Sequence, residues 1–478
     1  MTAGPAGAAR PAPALPRILG PIRPRPRWQE ARLLSLVALA LVVGSLSLGT
    51  TVDGSIGLAD PRGLLIYLLA LFGAHVAQVL AGRRTDQILL PVVGLLGGIS
   101  LLLMQRLPQG LVTQDFFGTT LGLAQVQLVW LVLAVSILTT LAIVVRSDAW
   151  LRRYKYTWAA IGVGLLLLTF VFGTDVNGSR LTLSFGPVSG QPSELLKVIL
   201  VIFLAGYLSE NRALLMEQDT RIGPLRLPPV PYLLPMVAMW AIALGIVVVQ
   251  RDLGAALLFF GVFLALLYVA TGRVSLVVIG LILFVLGSLF MALLFDHVRI
   301  RIAVWLDPFA DPLGAGYQVV QALHAFARGG LVGVGLGAGL PQIDGGPPIP
   351  EIHTDFPLAA LGEELGVVGV VAILGLYLVV VERGFRIGAA AADDFRSLLA
   401  VGLSLVIGIQ AFIIAAGNLK VLPLTGVTLP FISYGGSSLL ANAVVIGLLL
   451  ALSDKGVEPP PPPTSRSRWR RLVPGGGA

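Results

Sequence analysis

A chain of 478 residues with 56% hydrophobic and only 12% charged side chains carries about half the charge of a soluble domain, at a mean hydropathy of +0.89. That balance excludes a soluble globular protein, and the lack of cysteine excludes disulfides, thiolate catalysis and cysteine-held metals. The net charge of +8 is distributed over tails and loops in a way that argues against nucleic acid, and the four histidines are too scattered for metal-ligand spacing.

The chain opens with a Pro/Ala/Arg-rich stretch, residues 1–30, and closes with a similar one, residues 454–478. Both have too little apolar surface to fold and are expected to be disordered basic tails. The first apolar run is full-length, which favours an uncleaved span over a removable signal peptide. Runs near the ~20 residues that cross a bilayer follow at about 31–50, 63–82, 87–105, 121–146, 156–173 and 194–208. Six more lie at about 230–250, 253–271, 274–295, 356–381, 397–417 and 435–453. The pattern predicts an all-α polytopic membrane protein of about twelve transmembrane helices, because a helix satisfies its backbone groups inside lipid. No strand alternation competes with it, and the sixth run is the shortest and carries charge.

Arg and Lys gather before the first span, after the second, fourth, sixth, eighth and tenth, and at the C-terminus. Roughly 24 of the 33 basic residues thus fall on one side, which the positive-inside rule assigns to the cytoplasm together with both termini. The basic tails serve as topology signals, with contact to anionic membrane lipids as the alternative. The longest loop, 296–355, is then extracellular. A structureless connection beyond about 12–15 residues is uncommon unless functional or disordered, and this one mixes aromatic, acidic and basic residues, which favours function.

Several charges sit where lipid forbids them. A charged group at bilayer depth costs on the order of 3 kcal/mol and normally faces a partner or a cavity. Glu194 and Lys197 share one helix face at i,i+3, and spacing alone favours a structural ion pair over the wall of a phosphate-binding cavity. Arg251 and Asp252 interrupt about forty apolar residues and fit either a tight outer turn or a cavity. Glu363 and Glu364 lie about two turns into the tenth span, deep for two carboxylates without a polar interior. The stretch WLDPFADPLGAGYQ, residues 305–318, crowds Asp307 and Asp311 among prolines and glycines in the long loop.

Five motifs occur in order: NGSRLTLSFGPVSGQPSELLK, QRDLGAALL, RIRIAVWLDPFADPLGAGYQ, IPEIHTDFPLAALGEELGVVG and GNLKVLPLTGVTLPFISYGGSSLLAN. Together they closely resemble the SEDS family (shape, elongation, division and sporulation), which includes RodA and FtsW, over residues 87–453. The family usually has ten spans, so residues 31–86 resemble an added N-terminal helix pair. The resemblance implies a peptidoglycan glycosyltransferase of the bacterial plasma membrane that polymerises lipid II at the outer face, for elongation or division. It further implies a class B penicillin-binding protein as partner and dependence on a divalent cation such as Mg or Mn, although no ligand cluster is visible. The family's essential aspartate falls on Asp311 in DPLGAGYQ, which ends at Gln318; Asp307 then shapes the turn. QRDLG differs from the family's usual Q-P-D-L-G, NGSRLTL lacks its tryptophan, and the loop ahead of HTDF is longer.

Joining two lipid-linked disaccharides needs a base for the attacking hydroxyl, a role that suits Asp311 in a loop braced by apolar helices. It also needs cations facing the departing diphosphate, with Lys197, Arg251, Arg299 and Arg301 as candidates. His353 and Asp355 fit either a helix entry, with Asp355 near the N-cap, or the cavity wall. Ser433, Tyr434 and Ser437 fit helix packing or a sugar contact equally. The alternative function is a flippase of lipid II or a related precursor, and a cell-wall scaffold is a third.

Overall fold

The computed structural model describes residues 24–454 except 55, 117–118, 177–178, 186–187, 218–219, 223–224, 228–229, 250–251 and 340–347. The first helices are α1 (Trp28–Asp53), α2 (Pro61–Leu80), α3 (Leu89–Arg106), α4 (Leu123–Val144) and a single short turn, α5 (Ala149–Arg153). They are followed by α6 (Lys155–Phe172), α7 (Pro192–Glu217), α8 (Val230–Val249), α9 (Leu253–Thr271) and α10 (Val274–Leu294). The last are α11 (Asp296–Leu306), α12 (Tyr317–Gly329), α13 (Pro357–Ala389), α14 (Asp394–Asn418) and α15 (Gly436–Leu452).

Ten of these are long and apolar enough to cross a membrane. The 20-residue α8 and the 17-residue apolar α15 complete a helix for each expected span. The sixth, predicted as the shortest, is the 26-residue α7. Its length comes from charged turns at both ends, where Glu194 pairs with Lys197 and Glu210 with Lys155. Short antiparallel hairpins occupy connections, such as Gln114–Phe116 with Thr119–Leu121 and Ser179–Phe185 with its neighbours. Most of these strands have three residues and are too short to alternate, but Ser179–Phe185 does alternate, Leu181, Leu183 and Phe185 with Arg180, Thr182 and Ser184, so the expectation that no strand pattern is present fails there.

α14 is the central helix, packed by α13, α7 and α9, while α15 lies on α4 and α1 on α3. By contrast α10 is exposed along nearly its whole length, as a lipid-facing helix is. In lipid no hydrophobic effect drives helices together, so polar clasps contribute much of the association. One clasp gathers both described ends at the turn 83–86. Arg27 donates to Thr85 Oγ1 (2.8 Å) and the Asp86 carbonyl (2.9 Å), and Arg83 pairs with Asp454 at 2.7 Å. Helix α1 therefore starts at Trp28, and the expected tail to Glu30 stops short: Arg27 and Glu30 are buried as an ion pair that also takes His75. Residues 1–23 and 455–478 lie outside the described residues.

The long loop is not irregular, because α11 and α12 fold within it. Its Gly-rich end repairs a break in α13. Gly366 adopts φ 66°, ψ −170°, a conformation nearly restricted to glycine, and interrupts the helix inside its apolar stretch. The freed Glu363 and Glu364 carbonyls accept from Val334 and Gly335 N–H at 3.0 Å each, and Val367 and Val368 N–H donate to Gly330 and Leu331 carbonyls at 2.9 and 3.1 Å. The two carboxylates that looked too deep are paired here: Glu364 with Arg106, and Glu363 with Arg328 at 2.9 Å.

Gly366→Ala is expected to cost roughly 1–3 kcal/mol, because the left-handed backbone is strained for a side chain and a Cβ would strike the Gly333 N and Leu331 O of the loop. The check is the thermal unfolding midpoint of the detergent-solubilised protein; an unchanged midpoint would show that the break tolerates a side chain.

Candidate active site

The second clasp is polar and lies among α7, α14, α15 and the segment between the last two. Lys197 is almost fully buried; its Nζ donates to Glu194 Oε2 at 2.6 Å and to Gln410 Oε1 at 2.8 Å. Gln410 Nε2 donates in turn to the Thr428 carbonyl at 2.9 Å, and Thr428 Oγ1 is 2.6 Å from Ser438 Oγ. The i,i+3 spacing on α7 thus forms a real pair, and Gln410 fixes a second direction of the ammonium.

Asp252 closes the start of the same helix. Its Oδ1 accepts from Ala255 N–H at 2.9 Å as the N-cap of α9, and its Oδ2 accepts from Gln191 Nε2 at 3.1 Å and Ser193 Oγ at 3.3 Å. Arg251 lies outside the described residues. Arg301, on α11, donates to the Leu424 and Thr425 carbonyls at 3.3 and 3.1 Å. Burial lowers its pKa, while the negative charges of Asp355 and Asp252 act the other way. Arg301 therefore lies in the field of both aspartates, at the edge of the 424–434 segment.

Asp355 does not cap α13. The cap is Phe356, with no side-chain bond. Instead burial and the neighbouring Glu351 raise the Asp355 carboxyl from 3.8 to about 6, against the pull of Arg301. His353 and the 433–434 turn are tied together: Tyr434 N–H donates to the His353 carbonyl at 2.8 Å, Ser433 Oγ to the Thr354 carbonyl at 2.6 Å, and the His353 and Tyr434 rings lie 5.7 Å apart. Ser433 has a structural task, since its hydroxyl also accepts from Leu429 N–H. Ser437 is half-buried on the first turn of α15, next to the buried Ser438 that makes the contact to Thr428.

Asp311 is elsewhere. Its two oxygens accept from Gly314 and Ala315 N–H at 3.0 and 2.9 Å, and the side chain is exposed rather than enclosed by apolar helices. The five residues 311–315 are all exposed, with the buried Pro308 and Gly316 on either side holding the turn to the protein. Asp307 caps the short turn Pro308–Ala310 through Phe309 N–H at 3.0 Å. Both aspartates therefore shape turns. Gln318 is half-buried on the first turn of α12, and Arg299 pairs with Asp296 on the surface at 2.6 Å. Among the described residues no hydrogen bond or ion pair joins Asp311 to the Lys197 group. Among the described residues no group of three or more histidine, aspartate or glutamate side chains is placed to hold a metal ion.

Gln410, Thr428, Ser438 and Asn418, which donates to the Asp355 carbonyl at 2.8 Å, were missed in the sequence. The signal for Gln410 and Asn418 was available: each is a lone polar residue in or at the end of an apolar span.

This is the architecture of a multi-pass membrane protein with buried charges in separate polar clasps of its helical core and a long helix-bearing loop. Residues 86–457 match the cell cycle protein family FtsW/RodA/SpoVE. The chain belongs to that family. It is 39% identical over 441 residues to the peptidoglycan glycosyltransferase RodA of Mycobacterium tuberculosis, covering 91% of this chain and 92% of the relative. It is 41% identical over 298 residues to the probable peptidoglycan glycosyltransferase FtsW of Nitrosococcus halophilus, covering 61% of this chain and 72% of the relative. Among solved structures it resembles a chain of a peptidoglycan synthase complex that coordinates polymerization and crosslinking, at 26% identity and TM-score 0.60 over 77% of this chain and 98% of that one. It also resembles RodA of Thermus thermophilus, at 25% identity and TM-score 0.52 over 77% and 97%.

Lys197→Met leaves the half-buried Glu194 carboxylate without its cation and is expected to destabilise the protein by about 1–3 kcal/mol; a thermal midpoint equal to wild type would show the pair is not needed. For Asp355 the raised folded pKa means the folded chain holds its proton more tightly than the unfolded chain. The stabilisation this provides is full below about pH 4 and lost as pH rises to about 6. Asp355→Asn is therefore expected to raise the thermal midpoint at neutral pH and to change it little near pH 4, measured by unfolding scans at both.

Proposed function

We propose that this chain polymerises lipid II into glycan strands at the outer face of the bacterial plasma membrane, as a peptidoglycan glycosyltransferase. The observation that carries the activity is the family match over residues 86–457, with relatives of that name aligned over 91% of the chain. The outward orientation of the 296–355 loop is supported by the loop charges and by the two described chain ends meeting at the Arg83–Arg84 turn.

In the reaction, a sugar hydroxyl of one lipid-linked disaccharide attacks the anomeric carbon of the other chain's terminal sugar. The new C–O bond forms as the bond to the diphosphate breaks, with inversion in a single displacement, and the hydroxyl proton passes to a base. Asp311 is assigned that role. Its turn fixes each oxygen through one N–H and leaves each a lone pair toward solvent. The departing diphosphate gains charge, and the half-buried Arg301 is assigned to meet it, while the more deeply buried Lys197 neutralises Glu194. Asp355, Asp252, His353 and Tyr434 are assigned to contacts along the substrate's approach. A class B penicillin-binding protein is the proposed partner, supported by the likeness to a synthase complex that couples polymerization to crosslinking.

Asp311→Asn removes the base but keeps an acceptor for one of the two turn hydrogen bonds. Purified full-length protein with its partner and labelled lipid II is expected to lose glycan synthesis by a factor of about 10² or more, with a thermal midpoint close to wild type. Wild-type polymerisation rates in this variant would remove Asp311 from the chemistry. Transfer of labelled lipid II across a vesicle membrane by the wild type, without polymer, would establish the flippase instead.

A further inference from the structure

The family match begins at residue 86, so α1 and α2 precede it, and the proposed chemistry uses neither. The alignment with the mycobacterial relative, at 91% of this chain, is too long to fit between residue 86 and the C-terminus and so reaches into this helix pair. Helix α1 is anchored at both ends. At its start, Arg27 and Glu30 fasten it to the 83–86 turn and His75. At its far end it meets the loop that repairs α13. Gly337, at φ +81°, lies so close that a Cβ there would stand 3.0 Å from Leu48, 3.2 Å from Thr51 and 3.4 Å from Val52. Gly337 N–H also donates to Glu364 Oε2 at 3.2 Å. A cavity of about 190 Å³ adjoins this contact, walled by Ala40, Gly44 and Leu48 of α1, Leu336 of the loop, and Leu361 and Glu364 of α13.

We propose that the N-terminal helix pair is an intramolecular buttress: α1 holds the 330–339 segment against the break at Gly366, and Leu48 is the positioning residue. That segment continues directly from α12, which follows the Asp311 turn and packs on α13. Pressing the segment onto α13 therefore fixes the loop carrying Asp311 relative to the buried Lys197 group. Leu48 acts through the loop and touches no reacting atom. The effect on turnover rests on the proposed glycosyltransferase activity; the mechanical coupling does not.

The test uses the full-length protein and hydrogen exchange over 330–339 and 366–369, alongside steady-state kinetics with labelled lipid II. Leu48→Ala is expected to speed exchange in both segments by about tenfold or more and to lower kcat several-fold with KM within about twofold. Leu71→Ala is the control, because Leu71 of α2 is as buried as Leu48 but packs on Gly94 of α3 and does not line the cavity; it is expected to leave both readouts within about twofold of wild type. Ala40→Leu, which adds bulk to the cavity, is expected to slow exchange in the same segments. Unchanged exchange in Leu48→Ala, or equal effects from Leu71→Ala, would overturn the buttress. If Leu48→Ala does not fold, exchange in Ala40→Leu decides, and the absence of slowing would overturn it. Absence of glycan synthesis in the wild type would instead refute the activity, leaving exchange to decide the buttress.

Discussion

Hydrocarbon offers no partner to a charge or an unpaired backbone group, and the break at Gly366 shows how much of this protein that constraint dictates. A helix interrupted in an apolar span frees carbonyls on one side and N–H groups on the other. Water cannot reach them at depth, so the chain must supply the partners. Residues 330–335 do so with four backbone hydrogen bonds, and Arg106 and Arg328 neutralise the carboxylates beside the break. An outer loop that has to dock against a broken helix to satisfy it cannot be a loose tether. It is a structural member, which is why the segment carrying Asp311 is bounded by helices on both sides.

The same constraint organises the Lys197 group. A lone ammonium buried between α7 and α14 would cost several kcal/mol. Glu194 supplies the opposite charge and Gln410 a neutral acceptor, and the amide of Gln410 passes the order on to Thr428. Three helices and one irregular segment are thereby fixed around a single charge. Exposed Asp311 has the opposite character. Its carboxylate is held by its own turn and remains open on one side, as a group must be if it is to meet a substrate approaching from outside. Buried charges that set shape and an exposed carboxylate held only by its own turn are different solutions to the same electrostatics.

This division explains what the sequence showed and what it hid. Span number and order were legible because apolar runs of membrane length are a composition signal, and the Glu194–Lys197 pair was legible because i,i+3 spacing on a helix implies contact. The partner of Lys197 across the bundle was not, because Gln410 lies more than two hundred residues away and only packing brings it near. Glu363 and Glu364 looked anomalous for the same reason: Arg106 and Arg328 come from a different helix and from the loop. The tail boundary was misplaced at Glu30 because composition sees proline and arginine, whereas Arg27 gains its place from the 83–86 turn. The aspartate motif was recognised through family resemblance, yet its exposure could not be read from a stretch flanked by apolar spans.

A helix ahead of the region that matches the family has to gain its specific placement from that region, since lipid solvates its outer face as well as any protein surface would. The contacts of α1 meet that requirement unevenly. Along its middle it offers mostly aliphatic packing to α3, which lipid could largely replace. At its ends it offers what lipid cannot: an arginine to the carbonyls of one turn, and a close-fitting face to a glycine loop that must itself stay seated to satisfy a broken helix. The extension is therefore tied most specifically at the two places where the core has backbone groups to satisfy, so that displacing α1 would loosen the turn at one end and the loop at the other.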